Sequence, residues 1–84
     1  MLDTHCRVCG FNQDAPPWDE NGAPSWYICD CCGTHFGYGD TILKAVRSNR
    51  QKWLDNGAQW FSPEEKPENW NLEEQLKNIP PEWV

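Results

Sequence analysis

Two five-residue segments share one form, Cys6-Arg7-Val8-Cys9-Gly10 and Cys29-Asp30-Cys31-Cys32-Gly33. A Cys-x-x-Cys turn is tight enough for both sulfurs to reach one ion. Glycine after the second cysteine permits φ > 0, which can aim backbone N–H groups at the thiolates. Two such knuckles supply four thiolates, the tetrahedral shell that suits Zn²⁺ at metal–sulfur distances of about 2.3 Å. Cys6, Cys9, Cys29 and Cys32 are therefore the expected ligands of one Zn²⁺ per chain. Four thiolates leave no coordination position for water or substrate, so the expected ion is structural.

Cys31 is the surplus thiol. The glycine after Cys32 assigns Cys29 and Cys32 as ligands and leaves Cys31 as a small packed side chain. His5 and His35 adjoin the knuckles and are expected beside the shell or at the surface. Ligand type alone does not separate zinc from iron. A rubredoxin-like electron carrier would hold redox-active Fe on two similar knuckles. The 19 residues between Cys9 and Cys29 and the helical second half favour zinc.

The elements that must position these cysteines are short. Residues 11–24 are dense in Pro, Asn and Gly and read as a loop. Trp26-Tyr27-Ile28 reads as a short strand entering the second knuckle. A helix is predicted over 41–55, with Asp40 or Thr41 as N-cap, and Ile42, Leu43, Val46, Trp53 and Leu54 on one face. Gly57 suits the position after it. Ser62, Pro63 and Glu65 form a capping-box pattern for a brief turn that Pro67 ends. A last helix is expected over 72–78, capped by Asn71 and Glu74, before Pro80-Pro81. The fold class is small α+β: a metal-stabilised zinc-ribbon (rubredoxin-like) N-terminal half, residues 1–40, with a helical extension over 41–84, making one domain.

Eighty-four residues, 38% of them hydrophobic, leave a thin core that six tryptophans partly fill. Trp53, Trp60 and Trp70 are expected inside, and Trp18 and Trp83 partly exposed. Such chains usually carry a staple, a disulfide or a metal. The start, Met1-Leu2-Asp3-Thr4-His5, has no basic and apolar signal pattern, and no apolar run approaches the roughly 20 residues of a membrane span. A cytoplasmic chain with reduced thiols is the expectation, which favours metal over disulfides.

Seven Lys and Arg against 13 Asp and Glu give a net charge of −6, which opposes generic nucleic-acid binding. The sign is uneven: residues 1–40 hold six acids and one base, 41–55 four bases and one acid, and 56–84 six acids and two bases. Lys44, Arg47, Arg50 and Lys52 would carry the alternative of a nucleic-acid-binding zinc ribbon in a regulatory protein. No Ser-x-x-Lys, Gly-x-Ser-x-Gly or His-Glu-x-x-His pattern occurs, and Glu64-Glu65 and Glu73-Glu74 read as first-turn helix acids. The chain is therefore expected to be non-enzymatic.

Cys6-x-x-Cys9-Gly10, the Pro/Trp/Gly linker, Tyr27-Ile28-Cys29-x-x-Cys32-Gly33 and Phe36-Gly37-Tyr38-Gly39-Asp40 resemble the small bacterial cysteine-rich domains of the CPCC type. The chain departs from that pattern in having no proline inside either knuckle. Its second half, through Trp60-Phe61, Asn69-Trp70 and Leu76-Lys77-Asn78-Ile79-Pro80, is similar to uncharacterised bacterial proteins sharing that domain. Some of these look like immunity proteins of polymorphic toxin systems. The resemblance implies an immunity protein (antitoxin) that binds a basic toxin or effector domain such as a nuclease. Asp14, Trp18, Asp19, Glu20, Glu64, Glu65 and Glu68 are the expected partner-binding residues, with acids steering the encounter and Trp18 as an anchor.

Overall fold

The core lies where the two cysteine knuckles meet the C-terminal half, in a computed structural model that describes residues 2–84. Met1, the first residue of the stretch read for a targeting signal, lies outside the described residues. Val8, Phe36 and Val46 are fully buried together with Cys6, Cys9, Cys29 and Cys31. Trp53, Ala58 and Trp60 complete the cluster, and Phe11, Leu54, Trp70, Leu72, Leu76 and Trp83 pack against it. Trp60 stands edge-on to both Phe11 and Trp70, with ring centroids 4.9 and 5.6 Å apart. Aromatic rings thus fill the volume that scarce aliphatic residues leave.

The knuckles repeat one hydrogen-bond pattern. Gly10 N–H donates to the Cys6 carbonyl and Gly33 N–H to that of Cys29, both at 2.9 Å. Cys6 N–H closes on the Phe11 carbonyl and Cys29 N–H on that of Thr34, again at 2.9 Å. An isolated bridge sits over each knuckle, His5 with Asn12 and Ile28 with His35, and a third joins Trp18 to Pro24. Gly10 and Gly33 take φ of 83° and 78°, the left-handed region a side chain would strain. A β-carbon at Gly10 would also run into the Gln75 carbonyl, so the first knuckle and the last helix approach backbone to backbone.

The predicted strand at Trp26-Tyr27-Ile28 does not form. Trp26 has φ of 68°, which breaks extension, and only Ile28 makes a bridge. Side-chain packing sets this segment instead. The Trp26 ring is edge-on to Tyr38 at 5.5 Å and to His35 at 6.3 Å, and it fills the space beside Gly37. The chain is accordingly a small fold with few helices and little strand.

Helix α1 spans Leu43–Asp55 and buries Val46 and Trp53. Its N-cap is Ile42, with no side-chain cap bond, which corrects the expected Asp40 or Thr41 cap. Ile42 is also exposed rather than on the buried stripe. Gly57 follows the helix as expected, with φ of 89° and its N–H on the Leu54 carbonyl. Pro63 opens a short 3₁₀ turn, Pro63–Glu65, but the capping box is absent: Ser62 contributes its backbone carbonyl to Glu65 N–H, not its hydroxyl. Helix α2 spans Leu72–Leu76. Asn71 Oδ1 accepts from Glu74 N–H at 3.0 Å, as its sequence suggests, and the helix ends two residues before the predicted stop at 78. A second 3₁₀ turn covers Pro81–Trp83.

Arginines fasten these pieces. Arg50 of α1 donates to the Val8 carbonyl at 2.7 Å, to that of Arg7 at 2.9 Å and to that of Trp83. Arg47 reaches the Val84 carbonyl at 3.0 Å. The Arg7 guanidinium lies between the rings of Trp18 and Trp83, 4.2 and 4.0 Å from their centroids, and donates to the Asp40 carbonyl. Among the described residues no helix is long and apolar enough to cross a membrane.

Candidate metal centre

Cys6, Cys9, Cys29 and Cys32 bring their sulfurs within 4.8 Å of one another. The two closest recorded approaches, Cys6 to Cys32 and Cys9 to Cys29, are each 3.7 Å. A regular tetrahedron with 2.3 Å arms has edges of about 3.75 Å, so both pairs match a tetra-thiolate shell. The same distance is far beyond the roughly 2.05 Å of a disulfide, and all five cysteines are free. The four residues can hold one metal ion. Cys6, Cys9 and Cys29 are fully buried and Cys32 is partly exposed, so solvent reaches the shell from one side.

One backbone N–H reaches sulfur as expected, side chains supply the other contacts, and the glycine N–H groups serve carbonyls. Val8 N–H points at Cys6 Sγ at 3.4 Å, Gln13 Nε2 donates to Cys29 Sγ at 3.3 Å, and Thr34 Oγ1 lies 3.1 Å from Cys32 Sγ. Such outer partners orient the ligands and spread thiolate charge.

Burial pushes the Cys6 and Cys9 thiols up. Hydrogen bonds from Cys32, Cys6 and Cys9 hold Cys29 well below the ordinary thiol range. Burial thus favours the protonated forms of Cys6 and Cys9, and the neighbouring thiols favour the thiolate of Cys29. A metal ion takes thiolates, so binding must expel the protons of Cys6 and Cys9. The sign follows: affinity falls as pH falls, by about tenfold per pH unit for each proton expelled. Calorimetry in buffers of different ionisation enthalpy counts the protons released. A pH-independent affinity with no proton release would contradict this assignment.

Cys31 is not in the shell. It is fully buried, its Sγ accepts from Gln75 Nε2 at 3.2 Å, and its carbonyl accepts from Phe61 N–H. Gln75 also donates to the Cys9 carbonyl at 3.1 Å and accepts from Trp70 Nε1 at 2.7 Å. It thereby ties α2 to both knuckles. His5 bonds Asp3 at 2.8 Å, and His35 packs against Tyr38, so neither histidine joins the cluster.

The expected partner-binding residues divide. Asp14, Glu20, Glu64, Glu65 and Glu68 are exposed. Asp19 is exposed too, but its Oδ1 accepts from Asn21 N–H and Ala23 N–H and so closes its own loop. Trp18 is partly exposed, as expected, and also makes contacts within the fold. It is half-buried, stacks on Arg7, and donates from Nε1 to the buried Asp40 carboxylate at 2.7 Å. Of the four bases assigned to a nucleic-acid face, Arg47 and Arg50 are committed to backbone carbonyls, leaving Lys44 and Lys52 exposed. Arg7 and Gln75 were not singled out by spacing, although Gln75 shares the helical face of Leu72, Leu76 and Ile79, and Asp40 was read as a helix cap rather than as a buried acceptor.

The chain is similar to two Bacillus subtilis (strain 168) proteins. It is 26% identical over 80 residues to the uncharacterised protein YozI, covering 75% of this chain and 66% of that one. It is 28% identical over 79 residues to the uncharacterised protein YoaQ, covering 75% and 67%. The chain thus spans about two thirds of the length of either relative. No family model matches it, and no solved structure matches it significantly.

Proposed function

We propose that the chain is a zinc ribbon that holds one structural Zn²⁺ on Cys6, Cys9, Cys29 and Cys32 and acts without catalysis, as an immunity protein of the CPCC-like kind. On this reading it works in the cytoplasm, where thiols stay reduced, and neutralises a basic toxin domain such as a nuclease. The observation that carries the reading is the disposition of charge. Arg7 and Arg50 are partly buried and donate to backbone carbonyls, whereas Asp14, Glu20, Glu64, Glu65 and Glu68 stand exposed and outnumber the exposed Arg47 and four lysines on a chain of net charge −6 once Asp3, Asp19, Asp55, Glu73, Glu74 and Glu82 are added. A surface of that sign speeds encounter with a basic cleft and repels free polyanions. A closed thiolate shell supplies rigidity rather than chemistry.

The test is co-expression with a basic toxin domain encoded beside the gene, scoring survival and co-purification. Protection is expected, with association slowing as salt rises. Reversing Glu64, Glu65 and Glu68 together should weaken protection by at least about tenfold through the association rate while metal content stays unchanged. Well-folded, metal-loaded protein that neither rescues nor binds any adjacent candidate would remove the immunity reading and leave the metal centre standing.

A further inference from the structure

A groove of about 570 Å³ opens beside the partly exposed ligand Cys32, between the second knuckle, α1 and the segment that follows α1. Its volume falls within the roughly 300–1,000 Å³ of small-molecule sites. In a chain with 13 acids, no described Asp or Glu lines it. Lys52 is its lysine, and Asn56 and Gln59 add side-chain amides.

Phe61 forms one wall and is unlike the other aromatic residues of the second half. Its side chain is 59% exposed, yet it is held in place from behind. A β-carbon on Gly33 would sit 3.1 Å from Phe61 Cδ1, so the ring lies directly on the glycine of the knuckle. Its backbone N–H is fixed to the Cys31 carbonyl at 3.0 Å. The ring therefore has one side packed on a rigid turn and surface open to the groove, with no apolar neighbour required there for the fold. An ordered, exposed ring in a groove that also holds an ammonium group and carboxamides matches a planar heteroaromatic ligand that carries an anionic group. Stacking would hold the ring, the amides would meet its heteroatoms, and Lys52 would neutralise the anion. The Cys32 end of the groove becomes negative once four thiolates bind a divalent ion. The anion is thereby directed toward α1, while the ring settles over Phe61.

We propose that this groove binds a nucleotide unit, with its base stacked on Phe61 and its phosphate at Lys52. This goes beyond the immunity reading and does not depend on it, since the groove lacks the exposed acids on which that reading rests. The same chemistry is presented by a free mononucleotide and by one residue of a single-stranded nucleic acid.

The experiment follows amide resonances of the metal-loaded protein during addition of AMP, adenosine, inorganic phosphate and a short oligoadenylate. AMP should shift resonances of residues 32–35 and 52–61 with saturation in the micromolar to low millimolar range, on the order expected for one stacked base and one charge contact. Phe61→Ala should weaken AMP binding by at least about tenfold. Lys52→Gln, at an exposed position, should weaken AMP binding while leaving adenosine binding unchanged; this arm decides the matter if Phe61→Ala disturbs the knuckle. Oligoadenylate that shifts the same resonances at about tenfold lower concentration assigns the unit to a strand, and equal concentrations assign it to free nucleotide. Absence of shifts at several millimolar AMP overturns the proposal. So does binding of inorganic phosphate as tight as that of AMP, or wild-type AMP affinity in Lys52→Gln.

Discussion

Cys29→Ser is expected to release the metal and unfold the residues around both knuckles. Cys29 Sγ lies 3.7 Å from Cys9 Sγ and receives Gln13 Nε2, so no neighbouring sulfur can replace it without moving backbone. The energetic scale is set by the ion, since a structural zinc site contributes about 10–16 kcal/mol of folding free energy in small domains. The remaining core cannot cover that loss, because four of its most deeply buried residues are cysteines themselves. Wild-type protein should contain about one zinc per chain by elemental analysis, be colourless, and lose dispersed amide resonances when a strong chelator is added. Cys31→Ser is the control. Its Sγ makes one hydrogen bond, from Gln75, which a hydroxyl can also accept, so metal content should persist at a cost of about 1 kcal/mol. Metal retained in Cys29→Ser and lost in Cys31→Ser would reassign the ligand. Iron with a visible thiolate-to-metal band in protein from native cells would replace zinc with a redox centre.

The parts of this molecule that were legible in its sequence are those with strictly local causes. A Cys-x-x-Cys-Gly turn is determined by its own five residues, so the four-sulfur cluster and the left-handed Gly10 and Gly33 were readable. Gly57 after α1 and Asn71 before α2 are likewise local. What could not be read depends on groups that meet across the chain. Trp26-Tyr27-Ile28 has strand-forming residues, but Trp26 gains more by packing its ring on Gly37 and Tyr38 than by joining a ladder with no partner strand. Arg50 looked like one base on an amphipathic helix. Its role appears only when the first knuckle presents two carbonyls to it. Trp18 sits in a polar, proline-rich loop and reads as partly exposed, which it is, but the cation from position 7 and the carboxylate from position 40 that hold its inner side come from distant residues.

Asp40 carries the last of these long-range causes, and Asp40→Ala should destabilise the metal-loaded protein by about 3–5 kcal/mol. The side chain is fully buried. Its Oδ2 accepts Trp18 Nε1 at 2.7 Å and its Oδ1 accepts Gly37 N–H at 2.8 Å, while its own carbonyl takes Arg7 Nη1. Alanine would leave two donors without acceptors, at about 1–3 kcal/mol each, and remove a charge whose field favours the half-buried Arg7 cation. For a chain of this size, each kcal/mol lowers Tm by roughly 4–8 °C, so the fall in Tm should exceed about 12 °C. Loss of a single hydrogen bond independent of the indole would cost only about 1 kcal/mol and would be indifferent to Trp18. A double-mutant cycle with Trp18→Phe, which keeps a ring beside Arg7 but deletes the donor, separates the two roles. Coupling of about 1–3 kcal/mol is expected if carboxylate and indole act as a pair. Additive effects, with a total near 1 kcal/mol for Asp40→Ala, would show that carboxylate and indole do not act as a pair. Zinc content should stay at one per chain in both variants, because neither side chain touches a sulfur, so the loss is read in thermal unfolding of loaded protein rather than in metal stoichiometry.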